Sequence, residues 1–147
     1  MRSIKRLIVH CTAGSQRQSI ADLWAEFKRK GWKNPGYHYV IGVDGKITQM
    51  LEDGKVSNGV RGFNSSAINV AYIGGIDGDG KGVDNRTNEQ KKALKQLLKR
   101  LKNLYPEAEI CGHRDLSPDR NGDGRIDSTE WLKLCPCFDA KDEYADL

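Results

Sequence analysis

The chain reads as one α/β domain with a mixed central β-sheet flanked by helices. Three observations point there. Short apolar runs of strand length alternate with segments of helical period. No repeat, linker or second hydrophobic segment divides the sequence. A length of 147 residues suits one compact core. The order of the strands in the sheet is not readable from the pattern.

Ile4 to His10 is the first strand, with Ile4, Leu7, Ile8 and Val9 forming an apolar run suited to a central position and His10 left at its C-terminal end. Cys11-Thr12-Ala13-Gly14-Ser15 is loop chemistry. Ser19 with Asp22 forms a capping-box start, and Ile20, Leu23, Trp24 and Phe27 then recur at helical spacing, so that this face packs inward. Gly31 stands where a helix would end. After the turn Lys33-Asn34-Pro35-Gly36, the stretch Tyr37 to Val43 alternates as a strand with Tyr37, Tyr39, Ile41 and Val43 on one face. Asp44-Gly45 signals a hairpin, with Lys46 to Leu51 as the return strand.

Gly54 to Ser66 is rich in Gly, Ser and Asn and lacks periodicity, as a functional rim loop would be. Ile68 to Ile76 resumes as a strand in which Gly74-Gly75 lets another backbone come close. Thr87 and Gln90 form a second capping box. Ala93, Leu94, Leu97, Leu98, Leu101 and Leu104 are the apolar stripe of the helix that follows, stopped by Pro106. Glu109 to Cys111 is a short strand leading to His113, and Trp131 to Leu134 and Phe138 to Tyr144 are expected as short terminal helices.

Composition excludes several classes. Hydrophobic residues at 37% and charged residues at 30% describe an ordinary globular chain, and no apolar run reaches the length of a membrane span. The apolar run Leu7 to Val9 is too short for the core of a signal peptide, so synthesis and retention in the cytoplasm are expected. Four cysteines in such a chain read as reduced thiols. Lys91, Lys92, Lys95, Lys99, Arg100 and Lys102 interleave with the leucine stripe and read as a solvated helix face, not a nucleic-acid surface.

The chain has three histidines, and two of them, His10 and His113, fall at strand ends where side chains from separate strands converge. With Cys135 they would make a His/His/Cys set at one end of the sheet, with a fourth tetrahedral position free for water, as catalytic zinc sites have. Spacing alone favours unrelated packing residues, since ligands far apart in sequence leave no local signature, and Cys137 stands near enough to take the place of Cys135.

At these residues the sequence resembles the zinc-dependent type 2 N-acetylmuramoyl-L-alanine amidases, a family of phage endolysins and wall amidases related to the peptidoglycan recognition proteins. The matching segments are IVHCTAG at Ile8 to Gly14, PGYHYVIGVDG at Pro35 to Gly45, NVAYIGGID at Asn69 to Asp77, GHRDLSP at Gly112 to Pro118 and KLCPCFD at Lys133 to Asp139. The resemblance implies a zinc ion held by His10, His113 and Cys135, with Tyr37 and Lys133 as catalytic residues. It implies hydrolysis of the amide between N-acetylmuramic acid and L-alanine, with peptidoglycan or a muropeptide as partner. His38 would point away from Tyr37 by strand alternation and is left out of the site.

The non-catalytic alternative is a muropeptide-binding module of the same fold. No nucleic-acid partner and no stable membrane association are expected, and the chain is expected to be a monomer. A wall substrate would then be reached only after release, for example through a phage holin.

Between Pro118 and Trp131 the chain departs from the shorter family members. Asp119, Asn121, Asp123, the carbonyl of Arg125, Asp127 and Glu130 occupy positions 1, 3, 5, 7, 9 and 12 of an EF-hand calcium loop, with Gly124 at 6. An Asx-turn loop without an ion is the other reading of this insertion at 119–130, because Ser117-Pro118 replaces the helix that precedes such loops. A calcium-sensing interaction protein would need an exposed apolar groove and usually a pair of such loops, and the sequence carries only this one.

Overall fold

A computed structural model of the protein describes residues 2–147. Its strands are β1 (Arg6–Cys11), β2 (Tyr39–Ile41), β3 (Ile47–Gln49), β4 (Ala67–Tyr72) and β5 (Glu109–Gly112). Its helices are α1 (Ile20–Arg29), α2 (Asn88–Leu104) and the short α3 (Ala140–Glu143). The strands form one five-stranded sheet in the order β3-β2-β4-β1-β5. β1 is parallel to both its neighbours and β2 is parallel to β4, while the β2–β3 hairpin is antiparallel. The sheet is therefore mixed, as the sequence predicts.

Burial explains the position of β1. Every residue from Leu7 to Cys11 is buried, which fits a strand covered on both faces. Alternation sends Leu7, Val9 and Cys11 to one face, where they meet Ile41, Val70, Tyr72 and the α2 stripe from Ala93 to Leu101. The opposite face carries Ile8 and His10. There α1 contributes Leu23 and Phe27 against Val40 and Ile73, and Val60 packs on Ile8 and Ala67. Both capping boxes form: Ser19 accepts from Asp22 N at the start of α1, and Thr87 from Gln90 N at the start of α2. Gly31, at φ +75°, follows the C-terminus of α1.

Four expectations change. β2 begins at Tyr39, so Tyr37 leaves the alternation and packs with the α1 cluster instead of on the face of Tyr39. β4 ends at Tyr72, because Gly74 and Gly75 turn to φ +136° and +98°. That turn lets the chain pass β1: a Cβ on Gly75 would lie 2.5 Å from Cys11 Sγ. Trp24, at the edge of the α1 stripe, remains 42% exposed. Trp131 to Leu134 is not helical, and the terminal helix is confined to Ala140–Glu143. Among the described residues, no helix is long and apolar enough to cross a membrane.

Candidate metal centre and groove

β1 and β5 run side by side with Val9 opposite Gly112, so their carboxyl ends bring His10 and His113 together. The two rings meet edge to face at 5.0 Å between centroids. Carboxyl ends of parallel strands are a common place for ligands, since chains leave them in different directions and open a crevice. Cys135 arrives from the distant end of the connection after β5, with its Sγ 3.8 Å from His10 Nδ1. One donor atom from each of His10, His113 and Cys135 lies within 4.8 Å of the others.

The donor set suits zinc. Nitrogen and sulfur at ordinary zinc distances on two corners of a tetrahedron stand roughly 3.6 Å apart, close to the separation found between His10 and Cys135. His10 is buried, and burial first, then the charge of Lys133, holds its pKa down at about 4 against a hydrogen bond to Asn69 that raises it. Burial, with His10 and Lys133 beside it, lowers His113 to about 3. Both imidazoles are neutral at neutral pH, with lone pairs available to a cation. The backbone N–H of Cys11 donates to Cys135 Sγ at 3.2 Å, which fixes the sulfur beside the two rings.

Several contacts hold the cysteine in place. Arg114 N donates to Cys135 O at 2.9 Å, and Tyr72 Oη donates to Pro136 O at 2.6 Å. Just beyond, the Arg86 guanidinium lies 3.4 Å from the Phe138 ring centroid and bonds Asp84 and Glu143 at 2.8 Å each. Gly112 matters to this approach, because a Cβ there would lie 2.7 Å from Pro136 Cδ. Cys137 stands outside the donor group, with its Sγ 4.0 Å from Cys11 Sγ and 3.4 Å from Gly75 O. All four cysteines are free thiols.

Tyr37 and Lys133 border the same space. The Tyr37 ring lies 5.3 Å from His10, and its hydroxyl is 3.4 Å from Cys11 O. Burial, with the Cys135 and Cys11 thiols close by, raises its pKa well above 10, so the phenol keeps its proton. Lys133 is exposed and lines two adjoining hollows. The smaller, about 220 Å³, contains the three donor residues and Tyr37. The larger, about 590 Å³, runs on between Trp32 and the rim residues Val60 to Asn64. Together they make a groove open to an extended ligand, with Lys30, Arg61 and Lys133 along it. The rim is the Gly/Ser/Asn-rich passage singled out in the sequence.

His38 is fully buried and does not reach the donor group; its Nδ1 accepts from Asn69 N at 3.1 Å and its Nε2 meets Lys55 O at 2.8 Å. Asn69 itself was not among the predicted site residues. Its side chain is fully buried, with Oδ1 2.8 Å from His10 Nε2. The signal was available: an amide inside the apolar run Ala67–Tyr72 must find partners on the sheet face.

The acidic loop folds on itself. Asp119 accepts from Gly122 N and Gly124 N, Asn121 from Asp123 N, and Asp123 from Arg125 N. Glu130, only 3% exposed, accepts from Arg120 N at 2.6 Å and Asp127 N at 3.2 Å. One oxygen each from Asp119, Asp123 and Glu130 lies within 4.8 Å of the others, which is about twice a calcium–oxygen distance. Asp127 is not part of that trio; its carboxylate turns to Thr129 N at 3.0 Å.

Residues 1–127 match the family model described as N-acetylmuramoyl-L-alanine amidase. That span includes His10, Tyr37 and His113 and stops short of Lys133 and Cys135, which lie beyond the acidic insertion. The endolysin of Enterobacteria phage K11 is 32% identical over 136 residues, covering 91% of this chain and 81% of that protein. Among solved structures, the Ph2119 endolysin from Thermus scotoductus MAT2119 bacteriophage Ph2119 superimposes with a TM-score of 0.70 at 25% identity, covering 92% of this chain and 79% of that one. The N-acetylmuramoyl-L-alanine amidase LysC from Clostridium intestinale URNW shares the fold with a TM-score of 0.73 at 21% identity, covering 97% and 83%.

Proposed function

The chain belongs to the N-acetylmuramoyl-L-alanine amidase family, and from that premise we propose that it is a zinc-dependent peptidoglycan amidase cleaving the bond between the lactyl group of N-acetylmuramic acid and L-alanine. One observation carries the proposal: His10, His113 and Cys135, drawn from three separate parts of the chain, meet at the end of an open groove. Two neutral imidazoles and a thiolate would hold the ion and leave one tetrahedral position to water. Held there, zinc would supply a bound water with a pKa of roughly 7 and Lewis-acid polarisation of the scissile carbonyl.

The chain's own residues supply the rest. The groove leads an extended glycopeptide past Trp32 and the rim, with Lys30 and Arg61 facing the carboxylates of a stem peptide. Lys133 borders both hollows, so its ammonium can stabilise the oxyanion that forms when the amide is attacked. Tyr37 holds its proton on a hydroxyl next to His10, where it orients the carbonyl and can pass a proton to the leaving amine.

Digestion of purified sacculi with and without a zinc chelator, followed by mass spectrometry, tests the reading. New L-alanine amino termini are expected only with the metal. Retention of the protein on sacculi with no new termini would overturn it in favour of a binding module. Within the same reading, calcium at Asp119, Asp123 and Glu130, joined by Asn121, Asp127 and the Arg125 carbonyl, would brace the connection carrying Lys133 and Cys135. A calcium-dependent rise in Tm, absent in Glu130→Gln, is expected; no heat of binding in calorimetry would remove calcium from the proposal.

A further inference from the structure

Resting on the zinc reading of this site, we infer that Asn69 is a positioning residue that sets the proton on His10. It relays the polarity of the rim's backbone amides across β4, so that His10 carries hydrogen on Nε2 and presents a bare Nδ1 lone pair to the metal.

The chain of contacts has one consistent direction. Gly59 N and Val60 N, at 3.1 and 2.7 Å, both donate to Asn64 Oδ1, which identifies that atom as oxygen. Asn69 Nδ2 lies 3.3 Å from this oxygen and 2.7 Å from Ser57 Oγ. Turning the Asn69 amide over would set two acceptors against each other at Asn64. The amide group of Asn69 therefore faces the rim and its Oδ1 faces His10. An oxygen only accepts, so His10 Nε2 at 2.8 Å must donate. A neutral imidazole has one ring proton. Nδ1, on the side of Cys135 at 3.8 Å, is then free to bind a cation.

Placement and burial support the assignment. Asn69 pairs in register with Ile8, two residues before His10 in parallel β1, and so shares its face of the sheet. His10, Asn69 and Ser57 are all buried, leaving little access for water to replace a missing partner. Gly59 makes the approach feasible, since a Cβ there would stand 2.2 Å from Asn69 Cγ. Partners of metal-binding histidines of this kind fix the tautomer, and losing one typically weakens binding about 10–100-fold.

Nitrogen chemical shifts of the His10 ring in the zinc-free protein, and zinc affinity from competition with a chromophoric chelator, test the inference. The wild type should show one tautomer, protonated on Nε2. Asn69→Ala should mix the tautomers and weaken zinc about 10–100-fold. Asn69→Asp retains the acceptor for His10 while losing the donor to the rim, and should keep both the tautomer and the affinity. Gly59→Ala, which displaces Asn69 without changing it, should weaken zinc in the same direction as Asn69→Ala. A wild-type His10 protonated on Nδ1 would overturn the inference without any variant. So would an Asn69→Ala protein with unchanged tautomer and zinc affinity. If the wild type binds no zinc, the proposed function fails, yet the ring shifts still decide the role of Asn69.

Discussion

The two halves of the candidate metal centre are built differently. His10 comes from the carboxyl end of an interior strand and is bonded to Asn69, with covering layers on both faces of the sheet. Cys135 comes from a connection without regular structure, and hangs on contacts such as Arg114 N to its carbonyl and Tyr72 Oη to that of Pro136. The first half is pre-organised by the core. The second is delivered to it by a segment whose acidic middle bonds mainly to itself. The difference teaches that ligand geometry on the strand side is secured by folding of the sheet, whereas the loop side depends on a handful of polar anchors.

Substituting the ligands breaks the comparison most sharply. His10→Ala and Cys135→Ser should each abolish release of L-alanine amino groups, but their effects on the zinc-free fold should differ. His10→Ala leaves buried Asn69 Oδ1 unpaired and should cost about 1–3 kcal/mol in denaturant unfolding, whereas half-exposed Cys135→Ser should cost less than roughly 1 kcal/mol. Equal losses would mean that the two halves are equally integrated. Lys133→Ala is next in size: an exposed side chain on the delivered half should lower kcat by about 10²–10³ with little change in Tm, as loss of an oxyanion donor does. A kcat within threefold of wild type would remove Lys133 from catalysis.

Tyr72→Phe probes the joint between the halves. It strips the buried Pro136 carbonyl of its donor, and a destabilisation of roughly 1–3 kcal/mol is expected in chemical denaturation. An unchanged unfolding midpoint would show that Pro136 is held by packing alone. Stability of the zinc-free protein should also depend on pH. Burial lowers all three histidines from an ordinary value of 6.5, His10 to about 4 and His113 to about 3. The unfolded chain therefore takes up protons that the folded chain refuses, and the zinc-free protein should lose stability as the pH falls below 6.5 toward those values. A Tm that stays level from pH 7 to 4 would contradict this.

Much of the fold was legible because its signals are local. The Ser19 and Thr87 boxes start both long helices, the Asp44-Gly45 turn makes the hairpin, and the apolar run of β1 lies inside the sheet with a strand on either side. Tyr37 shows where local reading stops. Its alternation with Tyr39 predicts a shared face, but the strand begins two residues later, and the ring turns to Phe27 and His10. The candidate ligands His10, His113 and Cys135 were picked out by residue type and resemblance. Asn69 was passed over, because its partners Ser57, Asn64 and His10 are scattered along the chain.

The sequence by itself determined the α/β class, the capped helices, the family and the residue types available for metal chemistry, all of which depend on neighbours within a few positions or on matching segments. Only the tertiary structure decided that β1 lies between β4 and β5 and that Val9 faces Gly112. It also chose Cys135 over Cys137 as the thiol beside the histidines, and made Asn69 the partner of His10. Those choices come from parallel pairing and sheet-face burial between segments far apart in sequence, where no periodicity carries the information.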